Sequence, residues 1–445
     1  MQSRSSGTRS SESFYTFAFI FLAAISALQL YIERHQSFTL LFVFGIAFIA
    51  LLWLAFEQQI SFREILIIGL SARAITFFGL PTLSDDLYRF IWDGFLLQEG
   101  LSPYALIPSD VVNVVMPEGL LSQLNSPHYY SVYPPLHQVL FYVSVALQDS
   151  LLGQANVMRS IIVLMETIGA YQLYLLLPKE RKHLISLYFL NPLLIIESTG
   201  NLHVEGLVTV VILFMIAALS KKHLLLTAVS FALAVGLKLL PLIWLPLLAW
   251  HHRWHDGIKF TTLAVCITSI ILLPLFFDTN YIGLLESLQL YQQKFEFNAS
   301  IYYVLRVGGF WIKGYNIIES LGPTLAILTA CSIIVFSVAT GLRQNMKPTE
   351  GLMWVWFMYL LFANTVHPWY ILPLIPLGLL AGYYFPVIWS FLVLLSYVGY
   401  TEVGYEPHFV WIITEYLLLF AFISYEITQK VKNRRHHSQH IRADQ

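Results

Sequence analysis

The segment FTLLFVFGIAFIALLWLAF occupies residues 38–56 and contains no charged side chain. A helix that crosses a bilayer needs roughly 20 mostly apolar residues, so this segment predicts a transmembrane helix. Two longer apolar blocks, 223–250 and 352–400, are interrupted by Pro, His or Gly, which predicts paired short helices in each. The sequence therefore predicts an all-α polytopic membrane protein with about 12 to 14 transmembrane helices. The other predicted spans lie at 14–32, 65–80, 157–177, 183–199, 204–219, 259–277, 322–341 and 409–427.

The composition of the whole chain supports the same class. The 445 residues are 57% hydrophobic and only 11% charged, and the formal net charge is -1. Soluble proteins carry about 25% charged residues, so this chain is unlike them. The balance argues against a disordered chain, a nucleic-acid-binding protein and a secreted disulfide scaffold. We treat residues 1–445 as a single integral-membrane domain whose first apolar segment is a retained anchor, since it has no small-residue cleavage site.

The distribution of Lys and Arg predicts which loops face the cytoplasm, because basic residues in short loops collect on that side. The segment 81–134 has one basic residue and six acidic ones. It follows three predicted crossings, so we expect a long extracytoplasmic loop there, with 135–150 embedded or shallow. Both termini are then cytoplasmic, and the protein lies in the inner (plasma) membrane. The tail 428–445 is a basic cytoplasmic segment that contains Lys430, Lys432, Arg434, Arg435 and Arg442.

The outer segment contains SDDLYRFIWDG at residues 84–94, where four charged residues fall within nine positions. Each would cost about 2.5–3.5 kcal/mol at the middle of a membrane helix, so their clustering needs a reason. One reading is a solvated helix start, with Asp85 and Asp86 near the positive end of the helix dipole and Arg89 paired four residues away. The other is a functional site, in which the carboxylates provide a general base or a paired metal site. In that reading Arg89 steadies a phosphate leaving group, and Asp93 completes the polar site.

This run, followed by Gly100 and Ser102-Pro103-Tyr104, resembles bacterial integral-membrane glycosyltransferases of the GT-C superfamily, particularly the polyprenol-phosphate-mannose-dependent mannosyltransferases. The resemblance implies a GT-C-like helical bundle in which an acid of the first outer loop is the catalytic base. That acid is Asp85 or Asp86. Relatives often carry Asp where this chain has Glu205. The carboxylate is kept, but the longer Glu side chain changes its reach if Glu205 holds the acceptor. The further matching motifs are Tyr133-Pro134-Pro135-Leu136, Asn191-Pro192, Gly200-Asn201-x-His203-x-Glu205, Gly236-x-Lys238, Phe297-Asn298-x-Ser300-x-Tyr302-Tyr303 and His367-Pro368-Trp369-Tyr370.

Aromatic and charged residues on the predicted outer side are candidate substrate ligands. The rings of His128, Tyr130 and Tyr133 can stack on a pyranose, although the two prolines that follow equally indicate a rigid entry into a helix. Glu197 and His203 are expected to hydrogen-bond the substrate. The alternatives for these two residues and Glu205 are ordinary loop solvation or a divalent metal site.

Three further positions carry a cation or an imidazole. Lys238 interrupts a long apolar block, where it either snorkels to the interface or meets the phosphate of a lipid-linked donor. Arg306 is a second candidate for that phosphate. His367 is expected to line the site, whereas Tyr370 beside it is either a site residue or an interfacial anchor.

These features together predict an inverting glycosyltransferase that moves a hexose, mannose by resemblance, from a polyprenyl-phosphate carrier to a lipid- or glycan-linked acceptor at the outer face. Asp85 or Asp86 deprotonates the acceptor, and Arg89, Lys238 or Arg306 stabilises the departing phosphate. No metal or other cofactor is required, and membrane lipids are the remaining expected partners. The alternative is a lipid or small-molecule transporter or flippase, which the broken helices would suit but which usually shows an internal repeat that this sequence lacks.

Overall fold

The regular secondary structure in the described part of the protein is helical. A computed structural model covers residues 11–56, 60–111, 119–251, 254–277, 280–343 and 346–443. Within these ranges there is no β-strand, and the two isolated bridges join Phe297 to Thr365 and Tyr400 to Tyr405. The all-α class is therefore confirmed. Residues 112–118 of the predicted outer loop and 444–445 of the predicted tail lie outside the described residues.

The α-helices are numbered in chain order, and short 3-10 or π segments join several of them. The first nine are α1 Ser11–Leu30, α2 Ser37–Phe56, α3 Phe62–Thr76, α4 Asp86–Gln98, α5 Pro135–Leu147, α6 Leu151–Leu176, α7 Ser186–Phe189, α8 Glu205–Ser220 and α9 Leu224–Leu237. They are followed by α10 Leu245–His251, α11 Trp254–Ile271, α12 Asn280–Lys294, α13 Ile301–Lys313, α14 Ile318–Arg343, α15 Pro348–Phe362, α16 Leu374–Ala381, α17 Phe385–Leu392 and α18 Phe409–Ala443.

Helix α2 shows why the predicted spans are membrane helices. On one face Leu40, Phe44 and Leu51 are completely buried against neighbouring helices. On the opposite face Phe38 and Phe42 are 66% and 71% exposed. A helix that is apolar on all sides is not stable against water, so the exposed aromatic face is one that contacts lipid. The protein is therefore a membrane protein.

Five helices in the described ranges are long and apolar enough to cross a bilayer, and a bent pair makes a sixth. The pair is Leu194–Gly200 with Glu205–Ser220, whose axes differ by 109°. The blocks 223–250 and 352–400 are divided into short helices, as predicted, and these are too short to count as complete spans. The five long helices are Glu12–Leu30, Ser37–Phe56, Leu151–Leu176, Ile318–Arg343 and Phe409–Asn433.

The predicted single span at 183–199 is wrong in detail, because the chain forms three short pieces there. A 3-10 segment, Lys179–Ile185, leads into α7, and a π-helix follows at Leu194–Gly200. Pro192 has no backbone N–H and restricts the residue before it, so α7 ends ahead of it. Asn191 stabilises the break, since its side chain accepts a hydrogen bond from the Leu193 N–H at 3.0 Å and donates one to Ser390 Oγ at 2.9 Å.

Helix α4 is held close to α5, and this contact positions the candidate site. A Cβ at Gly94 would lie 2.5 Å from the carbonyl oxygen of Phe141, so only glycine permits the approach. Phe90 stacks on Phe141 with ring centroids 4.6 Å apart. Pro135 is the first residue of α5, and Pro134 precedes it in an extended conformation, as the Tyr133-Pro134-Pro135 motif predicted.

Candidate active site

The two aspartates at the start of α4 have different surroundings. Asp86 is the first residue of the helix, and its backbone N–H donates to Ser84 Oγ at 3.2 Å. Asp85 precedes the helix, makes no capping hydrogen bond and forms an ion pair with Arg34. The Asp85 side chain is 41% exposed, compared with 21% for Asp86. The helix thus begins at these acids, as the helix-start reading predicted. The side chain of Asp86 contacts other residues, which lie outside the helix.

Asp86 faces a buried histidine. Its Oδ1 accepts a hydrogen bond from Asn125 Nδ2 at 2.6 Å, and its Oδ2 lies 3.4 Å from His203 Nε2. Burial raises the pKa of Asp86, but the hydrogen bonding and charge of His203, with the Asn125 hydrogen bond, outweigh burial and hold the pKa below its ordinary value of 3.8. Asp86 is therefore a carboxylate at neutral pH and has lone pairs left to accept a proton.

His203 is fixed by the carboxylate of Glu197, which is itself completely buried. His203 Nδ1 lies 3.1 Å from Glu197 Oε2, while Tyr397 donates to Glu197 Oε1 at 2.7 Å and Asn201 Nδ2 donates to Oε2 at 3.1 Å. The imidazole also stacks on Trp369, with centroids 3.6 Å apart. Glu197 and His203 are thus buried rather than solvated, which corrects the loop-solvation reading.

The backbone between the π-helix and α8 turns sharply to make this arrangement. Leu202 adopts a φ of 69°, a left-handed conformation that costs a non-glycine residue roughly 1–2 kcal/mol. The turn lets the His203 N–H donate to the carbonyl of Glu197 at 3.0 Å. Backbone strain of this kind concentrates at functional sites, and here it brings an imidazole back over the carboxylate six residues earlier.

Glu205 and Lys238 form a second polar pair, on α8 and directly after α9. The two side chains are ion-paired, and Lys238 Nζ lies 4.0 Å from the centre of the Tyr370 ring. Glu205 is therefore the counter-ion that offsets the cost of placing the Lys238 charge between Leu237 and Leu239. Neither the snorkelling nor the phosphate interpretation of Lys238 predicted this ion pair. The Lys238 side chain is 24% exposed, and among the described residues Glu205 is its one hydrogen-bond acceptor, whereas an ammonium has three N–H donors.

Arg89 and Asp93 pair four residues apart, as the helix-start reading predicted. Arg89 Nε donates to Asp93 Oδ1 at 2.8 Å, and their side chains are 2% and 0% exposed. The same guanidinium donates to the carbonyls of Ser126 and Tyr129 at 3.1 and 2.8 Å. The pair ties α4 to the segment before α5. The structure places Arg89 inside the protein rather than at an open surface.

The aromatic candidates lie around this segment. Tyr133 packs edge-on to Phe90 and His137, with centroids 5.3 and 4.7 Å away. The carbonyl of Tyr130 accepts a hydrogen bond from Ser287 Oγ on α12 at 3.0 Å. His128 is exposed, and its Nδ1 lies 3.1 Å from Ser109 Oγ. Their roles as sugar ligands stay predictions.

The C-terminal candidates divide into two places. His367 stacks on Trp369, with centroids 4.4 Å apart, and so extends the ring stack that begins at His203. Burial lowers the pKa of His367 to about 3, so its imidazole is neutral at physiological pH. Arg306 on α13 instead pairs with Glu296 at 3.1 Å, and no described contact joins it to Asp86.

A metal site is not formed by these side chains. Among the described residues, no group of three or more His, Cys, Asp or Glu side chains is arranged to hold an ion. Glu197 and Glu205 are engaged with different partners, which separates the three residues for which the sequence allowed a metal. The cofactor requirement stays a prediction.

Sequence reasoning missed three residues of the site. Arg34 lies between α1 and α2 and pairs with Asp85, Asn125 binds Asp86, and Tyr397 binds Glu197 from 200 positions along the chain. None belongs to a motif that the sequence analysis used. Asn125 at least falls in the predicted outer loop 81–134, whereas Tyr397 lies inside the interrupted apolar block 352–400.

A membrane-embedded helical bundle with a buried carboxylate–histidine site is the class of protein that these observations define. The family model for the N-terminal domain of alpha-(1->6)-mannopyranosyltransferases matches residues 20–253, more than half of the chain. The chain belongs to this family, and the predicted GT-C mannosyltransferase relationship is confirmed. Alpha-(1->6)-mannopyranosyltransferase A of Mycobacterium tuberculosis is 22% identical over 363 residues, which cover 73% of this chain and 68% of that protein.

Proposed function

We propose that the protein is an inverting mannosyltransferase that uses a polyprenyl-phosphate-linked donor and extends a lipid- or glycan-linked mannoside. The single observation that carries the proposal is the carboxylate of Asp86, held at the start of α4 beside His203 within a chain of this family. Asp86 is the base in this scheme, and Asp85 is not, because its exposed carboxylate is already paired with Arg34.

The reaction needs one displacement at the anomeric carbon. Asp86 accepts the proton of the acceptor hydroxyl while that oxygen forms the new glycosidic bond. The bond from the anomeric carbon to the phosphate oxygen breaks, and polyprenyl phosphate leaves with the electron pair. Lys238 is the cation that we assign to the departing phosphate, because its ammonium is partly exposed whereas the guanidinium of Arg89 is enclosed.

We further propose a topology with the site on the extracytoplasmic side of the inner membrane. The acidic segment 81–134 forms the catalytic outer loop, and the basic tail 428–445 is cytoplasmic, so residues 1–445 make one integral-membrane domain. The short apolar helices, such as Leu224–Leu237 and Phe385–Gly399, combine into further crossings and bring the total to about 12 to 14.

The proposal is tested with purified full-length protein in lipid nanodiscs, short-chain polyprenyl-phosphate [14C]mannose as donor and octyl α-mannoside as acceptor. We expect a labelled dimannoside whose new linkage is α, and released polyprenyl phosphate in equal amount. A matched reaction with guanosine-diphosphate mannose is expected to give no product. Transfer from the nucleotide sugar alone would contradict the donor assignment. Movement of labelled lipid across vesicles with no glycosidic product would favour the transporter alternative.

A further inference from the structure

The carboxylate of Asp86 has a physical difficulty that its neighbours resolve. An aspartate in a buried pocket tends to take up a proton, and a protonated carboxyl cannot act as a base. Its side chain is only 21% exposed, and Asn125 is a neutral hydrogen-bond partner. A nearby cation is needed to keep the carboxylate charged. The charge of Lys238 is balanced by its ion pair with Glu205, and the charge of Arg34 by its ion pair with Asp85.

His203 is the group placed to supply that cation. Its side chain is 3% exposed, its Nδ1 faces Glu197 at 3.1 Å, and its Nε2 faces Asp86 at 3.4 Å. Nε2 is buried, and the acceptor that it faces is the carboxylate of Asp86. An imidazole with a carboxylate at each nitrogen is favoured in its doubly protonated form, because both N–H groups then point at negative charge.

Glu197 is equally well fixed as the anchor of this arrangement. Its carboxylate accepts hydrogen bonds from Tyr397 and Asn201, so it is held as an acceptor with no need of solvent. The ring plane of His203 is set by stacking on Trp369. Glu197 is completely buried, and no described contact joins it to Asp86. It therefore acts on the base through the imidazole of His203, which contacts both carboxylates.

We propose that Glu197 and His203 are positioning residues that keep Asp86 ionised within its partly buried pocket, rather than ligands of the sugar. This inference rests on the proposed function, in which Asp86 is the base. It changes the role that the motif Gly200-Asn201-x-His203-x-Glu205 suggested for His203. The negative charge of Glu197 stabilises the imidazolium of His203. The imidazolium in turn stabilises the ionised carboxylate of Asp86.

Other titratable groups near His203 do not replace this pair. His137 on α5 and His367 next to the Pro368–Ile371 turn are close enough to interact with both His203 and Asp86. His367 is neutral at physiological pH because burial lowers its pKa to about 3. Lys238 acts on His137 and His367 as well, but Glu205 compensates its charge. The hydroxyl groups within electrostatic range of Asp86 belong to Tyr133, Tyr291, Tyr370 and Tyr400.

The test is the pH dependence of kcat/KM between pH 4.5 and 8.5, measured with the nanodisc assay described above. The partners of Asp86 hold its pKa below the ordinary value, so we expect the wild-type profile to show no acidic limb from this base in the range. His203→Gln removes the cation and leaves the Asn125 hydrogen bond as the main remaining contact that opposes the effect of burial. The pKa of Asp86 then rises by about 1–3 pH units, and activity falls toward low pH but recovers at high pH.

Glu197→Gln keeps the hydrogen-bonding shape and removes only the anchor charge, so we expect a smaller shift in the same direction. It also decides the question if His203→Gln does not fold. Glu350→Gln is the matched control, because Glu350 bonds Tyr383 at 2.9 Å and belongs to no part of the site. Thermal unfolding of each variant checks that it is folded.

The outcomes separate the inference from the function on which it rests. A raised acidic limb in both site variants supports the proposal. A higher KM at every pH with an unchanged profile would overturn it and make the two residues substrate ligands. A uniform loss of rate with a lowered Tm would also overturn it and make their role structural. Failure of the proposed function is a different result, since wild-type protein would then form no dimannoside at all.

Discussion

The buried pair of Arg89 and Asp93 gives a prediction that separates a structural role from substrate binding. The perturbation is Asp93→Asn, which keeps the shape of the side chain and removes its charge. Asp93 is completely buried and accepts hydrogen bonds from Arg89, Ser131 and Gln138. An asparagine amide turns one of its two acceptor positions into a donor, so either the Arg89 bond at Oδ1 or the Ser131 and Gln138 bonds at Oδ2 lose their acceptor.

The magnitude follows from the enclosed guanidinium. Removing one partner of a buried ion pair costs about 3–5 kcal/mol, because the remaining charge is left uncompensated. Arg89 keeps the carbonyls of Ser126 and Tyr129 as acceptors. We therefore expect the free energy of unfolding to fall by about 3 kcal/mol, at the lower end of this range. Asp85→Asn is the control. Its ion pair with Arg34 is partly exposed and is worth about 0–1 kcal/mol.

The assay is chemical unfolding of detergent-solubilised protein, followed by donor titration at a temperature where the variant is folded. The account predicts that Asp93→Asn lowers the free energy of unfolding markedly and leaves the KM for the donor close to that of wild type. Wild-type stability combined with a strongly raised donor KM would refute this reasoning, and it would restore Arg89 as the phosphate ligand that the sequence suggested.

Three further outcomes follow from the same contacts. Gly94→Ala places a Cβ 2.5 Å from the Phe141 carbonyl oxygen and should lower stability by about 1–3 kcal/mol in thermal or chemical unfolding; an unchanged protein would show that α4 and α5 separate freely. Removing Lys238 and Glu205 together, as Met and Gln, leaves no unpaired charge and should raise the donor KM about tenfold or more, whereas an unaltered KM would exclude Lys238 from the phosphate site. Arg34→Gln breaks a partly exposed pair and should change the free energy of unfolding by less than about 1 kcal/mol, and a larger loss would mean that Arg34 anchors the fold.

Local features of the sequence predicted the local features of the fold. The uncharged segment 38–56 is a complete helix, and the pair of prolines at 134–135 begins α5. The spacing of Arg89 and Asp93 on α4 gave their ion pair. In each case the deciding physics acts within a few residues, through hydrophobicity, the fixed φ of proline or the i, i+4 geometry of a helix.

Long-range contacts could not be predicted in the same way. Asp85 and Asp86 are equivalent in the sequence, and their environments are distinguished by Arg34, His203 and Asn125, which lie far away along the chain. Lys238 found its counter-ion in Glu205, 33 residues earlier. The apolar composition of 183–199 predicted one span there. Composition does not show the helix break at Pro192, which divides the segment.

The central claim is that Asp86, and not Asp85, is the base of mannosyl transfer. The most direct measurement compares Asp86→Asn with Asp85→Asn at equal folded amounts, by the rate of labelled dimannoside formation from polyprenyl-phosphate [14C]mannose. Loss of a general base typically lowers the rate by about 10²–10⁴-fold. The account predicts such a loss for Asp86→Asn and a rate within about tenfold of wild type for Asp85→Asn. Equal rates in the two variants, or a loss confined to Asp85→Asn, would contradict it.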